Sequence, residues 1–121
     1  MDHRDLQKRT KVFAVRIIKL VRYLQKDPVG KIIANYQLLR SGTGVAANYR
    51  AACRSKSRKD FISKIGTVVE EADETQFWLE ILVESGVVDM ALVGDLLQEA
   101  AELTAIMTAS KTSAVKNQKK E

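Results

Sequence analysis

Apolar side chains recur along this chain in steps of three and four, the spacing that places them on one face of an α-helix. Leu6, Thr10, Phe13, Ile17, Leu20 and Leu24 form the first such line and predict a helix over about residues 5–25. Asp27-Pro28-Val29-Gly30 then predicts a break, because proline disfavours an α conformation in the residue before it and glycine loosens the chain. A second helix is predicted over about 31–54, with Asn35, Leu38, Leu39, Gly42, Val45, Ala46, Tyr49 and Cys53 on one broad face. Ser41-Gly42-Thr43-Gly44 weakens it, each glycine costing about 1 kcal/mol against alanine, but its small residues would let a neighbouring backbone come close. Ser57 with Asp60 three places on resembles a capping box, so a third helix starts there and carries Phe61, Ile65, Val68, Ala72, Thr75, Leu79 and Leu82 inward. Ser85-Gly86 supplies its end and Asp89 an N-cap for a fourth helix. That helix buries Leu92, Leu96, Leu103 and Met107, flanked by Val93, Leu97, Ala100 and Ile106, and runs to about Ser110. Residues 111–121 are polar and basic, and read as a frayed tail.

Four apolar stripes joined by short connections are buried most simply by an all-α, antiparallel, up-down-up-down four-helix bundle. The 121 residues suit a single domain over 1–121. Six glycines and one proline are too few to punctuate the turns of a sandwich or barrel. Pairing the second and third helices by equal distance from a turn near Lys56 sets Ala46 near Gly66 and Gly42 near Glu70, so small residues are expected to meet small residues. No window is long and apolar enough for a membrane span, and the chain opens on charge, so a cytoplasmic protein is expected with no membrane partner. The single cysteine, Cys53, suits a reducing compartment and reads as a packing residue.

The net charge of +5 conceals a division. Residues 1–64 hold 16 Lys and Arg against 4 Asp and Glu, while residues 65–121 hold 4 against 11. Such asymmetry suits either an anionic polymer bound to the basic half or attraction between the halves of different subunits. With Phe13 as the inward direction, Lys8, Lys11, Lys19, Arg22 and Lys26 gather on the far face of the first helix around Val15. Arg40, Arg54 and Arg58 extend this basic region, with Arg50 and Lys59 beside them. These are the candidate nucleic-acid contacts, and arginine suits bidentate contacts to phosphate or carboxylate. On the third helix, with Val68 inward, Phe77 points outward among Glu70, Asp73 and Ile81 and beside Trp78. These five residues are the candidate oligomer interface.

Catalytic constellations fare poorly. A di-iron bundle needs Glu-x-x-His pairs, and the only histidine, His3, lies at the terminus. The same shortage removes a Ser/His/Asp triad. The glycine-rich stretch lacks the lysine and spacing of a P-loop, and no strand precedes it. No enzymatic activity, no cofactor, no metal and no small-molecule substrate are therefore expected.

The run Gln37-Leu38-Leu39-Arg40-Ser41-Gly42-Thr43-Gly44-Val45-Ala46-Ala47-Asn48-Tyr49-Arg50-Ala51-Ala52 is followed by Ser57-Arg58-Lys59-Asp60-Phe61-Ile62 and by Glu70-Glu71-Ala72-Asp73-Glu74-Thr75-Gln76-Phe77-Trp78-Leu79. Together these segments resemble the bacterial 23S rRNA intervening-sequence protein family, over nearly the whole chain. The resemblance implies an antiparallel four-helix bundle that assembles as a homopentamer, without an established enzymatic activity. It also relates the chain to the accessory subunit of the reverse transcriptase in diversity-generating retroelements, so RNA or a nucleoprotein is the implied partner. Two functions stay open on this basis. One is an oligomeric protein that binds RNA or a nucleoprotein through its basic face, and the other is a scaffold whose basic and acidic faces serve self-assembly alone.

Overall fold

The structure, a computed structural model, describes residues 1–120 and the side chains of residues 1–118. Its first helix, α1, spans His3–Tyr23, and Asp2 caps it by accepting from the backbone N–H groups of Arg4 and Asp5 at 2.9 and 3.0 Å. A single 3-10 turn, Leu24–Lys26, follows. The predicted break is confined to this turn, because Asp27 caps the next helix through Val29 N and Gly30 N while Pro28 takes its first position. Proline has no N–H to lose there and its fixed φ suits the helix, so the residues read as a breaker act as a start signal. The second helix, α2, is continuous through the glycine-rich stretch, in three parts: Pro28–Ile33, a π-helical turn Ala34–Leu38, and Leu39–Cys53. Helix α3 spans Arg58–Glu84 and α4 Met90–Lys120.

The π turn corrects the inward face expected for α2. Gly30, Ala34, Leu38 and Gly42 are all buried, and a run of steps of four drifts round an ideal helix of 3.6 residues per turn. A turn with i→i+5 bonding widens the local repeat and brings these positions back into line. Asn35 and Leu39, expected inside, are exposed as a result. Asn35 instead exchanges side-chain hydrogen bonds with Gln25 at 2.8 and 3.2 Å. The tail correction has a similar local origin. No proline or glycine interrupts residues 95–120, and α4 continues to Lys120 through the segment read as frayed, with Ala114 and Val115 half-buried, while residue 121 of that segment lies outside the described residues.

Elsewhere the apolar lines lie where the periodicity puts them. Phe13, Ile17, Ile65, Val68, Ala72, Leu79, Leu82, Val93, Leu103 and Met107 have no exposed surface, although Leu92 points outward at the start of α4 and Phe61 is only half-buried. Thr10 satisfies its buried hydroxyl by donating to the Leu6 carbonyl at 2.8 Å. Ser57 caps α3 through Asp60 N at 3.0 Å. Gly86, at φ +80°, ends α3 with Gly86 N bonded to the Val83 carbonyl and Val87 N to the Leu82 carbonyl, each at 3.0 Å. This double closure needs a left-handed residue and so selects glycine.

Contacts between helices set their order around the core. Helix α2 packs on α1 and α3, and α4 packs on α3 and, less extensively, α1. Helices α1 and α3 therefore occupy opposite corners. The expected small-to-small pairing between α2 and α3 is not what the helices adopt. Gly42 faces α1, where an added Cβ would lie 2.7 Å from Ile17 Cγ2, and Gly66 faces Lys111 of α4. The α2–α3 register is set by Ser41 and Thr75, whose buried hydroxyls are 2.9 Å apart.

Glycine substitutions should separate the two roles a helical glycine can have. Gly94→Ala adds a Cβ that meets only Met90 Sδ at 3.8 Å, so it should stabilise by about 0.5–1 kcal/mol through backbone entropy. Gly42→Ala gains the same term but drives a carbon against the branched Cβ of Ile17, and a net loss of about 1–3 kcal/mol is expected. Thermal unfolding monitored by circular dichroism reads both, with Tm moving up for the first and down for the second.

Candidate functional site

Several acids and bases along the seams between helices are paired within the subunit. Arg9 on α1 makes a bidentate contact with Glu99 of α4, at 2.7 Å from Nε and 2.6 Å from Nη2, and reaches Glu102 at 3.3 Å. The hydrogen bonds from Arg9 hold the Glu99 carboxyl below its ordinary range, against the opposing effect of burial. Arg40, proposed as a nucleic-acid contact, lies instead between Glu71 at 3.2 Å and Glu74. Its guanidinium is raised, first by the hydrogen bond to Glu74, whereas burial outweighs Arg40 at Glu71 and pushes that carboxyl up. Gly44 makes room for this cluster, since an added Cβ there would lie 3.1–3.3 Å from the Glu71 carboxylate. Lys64 pairs with Asp60 one turn before it on α3, at 3.0 Å.

Several of the outward charged groups make no ion pair among the described residues. Lys8, Lys11, Lys19 and Arg22 are exposed along α1, and among the described residues none makes an ion pair. Lys26, in the turn after α1, sits over the Tyr23 ring with Nζ 3.8 Å from its centroid. Such a cation–π contact positions the ammonium while leaving its charge in place. Arg50 and Arg54 are exposed at the far end of α2, followed by the exposed Arg58 at the start of α3. On α3, Glu70, Asp73, Phe77, Glu80 and Glu84 are exposed at spacings of three and four. Trp78 and Ile81, expected to join Phe77 at an interface, are half-buried instead. Trp78 packs against the core, and Phe77 meets it edge-on with ring centroids 5.0 Å apart. Its indole N–H is buried and lacks an acceptor among the described residues.

Sequence reasoning missed two features. The Arg9–Glu99 bridge was signalled only weakly, by a charged residue immediately beside the buried line on each of two helices. The basic stripe, expected around Val15, also carries Val12 and Ile18, which are 52% and 40% exposed beside Val15 at 49%. These positions fall outside the inward line of Phe13 and Ile17, which is the pattern of a helix with something to cover on both sides. Val12 and Val15 lie in a shallow, open groove on the outer side of α1, lined also by Lys8, Lys11, Arg16 and Lys19.

A family profile described as 23S rRNA-intervening sequence protein matches residues 3–109. The chain belongs to that family. A crystal structure of a protein of unknown function from the S23 ribosomal protein family of Bacteroides thetaiotaomicron VPI-5482 is similar to it, with a TM-score of 0.85 at 29% identity. The alignment covers 93% of this chain and 99% of that one. A search of the curated proteins found no match. The 23S rRNA-intervening sequence match ends at residue 109, so the last part of α4 lies outside it. No helix of the described residues is long and apolar enough to cross a membrane.

The Arg9–Glu99 bridge gives a pH test. Glu99 has a folded-state pKa below its ordinary value of 4.5, so its contribution is fully present above about pH 4.5 and is lost as pH falls through the depressed value. Both side chains are mostly shielded, at 23% and 18% exposure, and a bidentate charged pair of this kind is worth about 1–3 kcal/mol. Glu99→Gln should therefore lower Tm at pH 7, and the gap to wild type should close as both are acidified towards pH 2. An equal gap at both pH values would remove the pair from the pH dependence.

Proposed function

We propose that this protein is a non-enzymatic, self-associating four-helix bundle that binds RNA or a nucleoprotein through a basic face that includes Arg50 and Arg54. The observation that carries this reading is the sorting of charge. Arg9, Arg40 and Lys64 are paired with carboxylates, whereas the exposed lysines and arginines of α1, with Arg50 and Arg54, have no carboxylate partner among the described residues. Phosphates neutralise such groups with release of counterions, which makes binding insensitive to sequence and steeply dependent on salt. Base readout is not expected, because Tyr23 is the only aromatic on the outer face of α1 and no RNA-reading module accompanies it. A ring of five subunits, as the family resemblance implies, would repeat these charges around one axis. The chain is proposed to act in the cytoplasm without a cofactor.

A scaffold that uses both charged faces for assembly alone is favoured by a different observation, the exposed Val12, Val15 and Ile18 within the basic stripe. Phosphate contacts have no use for them. RNA retention separates the two readings. Purified protein should retard a single-stranded RNA of mixed sequence at about 50 mM salt and lose affinity by orders of magnitude towards about 200 mM. Arg50→Glu with Arg54→Glu should flatten that dependence while leaving the oligomer intact. Absence of retardation by wild-type protein at the lower salt leaves the scaffold reading standing alone.

A further inference from the structure

The outer faces of α1 and α3 share one pattern with opposite sign. On α1 the exposed positions Lys8, Lys11, Val15, Ile18 and Arg22 follow steps of three, four, three and four. On α3 the exposed positions Glu70, Asp73, Phe77, Glu80 and Glu84 follow the same steps. Laid side by side in either direction, the two stripes bring Val15 level with Phe77, and set the cations at both ends of one opposite the anions at both ends of the other. Opposite charges can then meet at both ends of the seam, with Ile18 facing a carboxylate in either direction.

Local structure gives both centres an exposed apolar side chain among charges. Phe77 stands out from α3 at 48% exposure, and its ring is held edge-on against Trp78. Val12 and Val15 supply the apolar part of the shallow α1 groove, and Lys8, Lys11, Arg16 and Lys19 line it beside them. One face therefore presents an exposed aromatic among carboxylates, and the other a shallow apolar surface among cations. Neither stripe can be satisfied by the other within one subunit, since α1 and α3 occupy opposite corners of the bundle.

The geometry points to a heterologous docking site in which Phe77 of one subunit enters the α1 groove of a second copy of this chain. The occupant is a second copy because charge, apolar centre and spacing all find their complement on this same chain. A head-to-tail contact of this kind uses a different patch on each partner, and closes a ring where the rotation allows it. This inference rests on the self-association reading above and supplies the surface for it. It also divides the basic charge, since docking covers the α1 stripe and leaves Lys26, Arg50 and Arg54 for phosphate.

Sedimentation of three proteins tests it. Wild type should self-associate at micromolar concentration, while Phe77→Asp and Val15→Asp should each weaken association by roughly thirtyfold or more, as truncation of an interface anchor does. Both sites are half-exposed, so each variant should keep the wild-type far-ultraviolet circular dichroism and melt cooperatively. Mixing the two variants is the decisive step. Each retains one intact face, so equimolar mixing should produce a 1:1 dimer and nothing larger. Lys11→Glu should also dissociate the assembly, and combining it in the same chain with Glu80→Lys or with Asp73→Lys should restore it, the successful partner reporting the direction of the helices. A wild type that is monomeric throughout overturns both self-association and this site. An oligomeric wild type whose Phe77→Asp and Val15→Asp variants keep its mass, or stay monomeric on mixing, overturns the site and leaves self-association in place.

Discussion

A methyl group at position 42 would lie 2.7 Å from Ile17 Cγ2, so α1 and α2 can meet in their present register only because Gly42 has no side chain. That contact fixes more than one helix pair. With α2 seated on α1, Ser41 faces the other way and meets Thr75, and this buried hydroxyl pair in turn sets how α3 lies against α2. A hydroxyl pair excluded from water must be matched to within a hydrogen-bond length, so it permits few alternative registers. The π turn belongs to the same constraint. It lets Ala34 and Leu38 share the buried side with Gly42, at the expense of turning Leu39 outward.

Fixing the register also decides which charges remain available. Two of the clusters that bridge helices, Arg9 with Glu99 and Glu102, and Arg40 with Glu71 and Glu74, lie on seams between adjacent helices. Their carboxylates are at most half-exposed, where the cost of desolvation has to be met by close hydrogen bonding. The exposed stripes on α1 and α3 avoid that cost and make no ion pair among the described residues. The charge asymmetry of the sequence is thus resolved at the seams and left unresolved on two outer faces.

Much of this was legible in the sequence, and the exceptions share a cause. The cap at Ser57, the turn at Gly86 and the inward line from Ile65 to Leu82 follow from local rules, and the structure contains them. The outward position of Phe77 followed from helical geometry alone. The errors arose where tertiary contacts override a local signal. Asp27-Pro28 reads equally as a stop or a start, and only the proximity of the preceding turn decides between them. Asn35 and Leu39 fit an ideal α-helix facing the core, but one wider turn moves them out. Equal spacing from a turn cannot show that Gly42 serves α1 and not α3, since a glycine carries no pattern to say which neighbour it admits. Arg40 had the composition of a phosphate contact, yet its position level with Glu71 and Glu74 depends on that same register.

A chain with net charge +5 repels its own copies at long range, so any assembly it forms must find local attraction strong enough to overcome that repulsion. Screening helps unequally. At about 0.15 M salt the Debye length is about 8 Å, which suppresses repulsion between whole subunits more than attraction between side chains in contact. An apolar centre such as Phe77 on Val15 is not screened at all, because burying it is driven by water. The same salt that weakens phosphate binding therefore leaves a mixed apolar and charged seam largely intact. Basic residues that must release a polymer and basic residues that must hold a neighbour would then be told apart by their surroundings: Arg50 and Arg54 are exposed with only the small Ala47 exposed one turn before Arg50, whereas Lys8, Lys11 and Lys19 lie beside exposed valines.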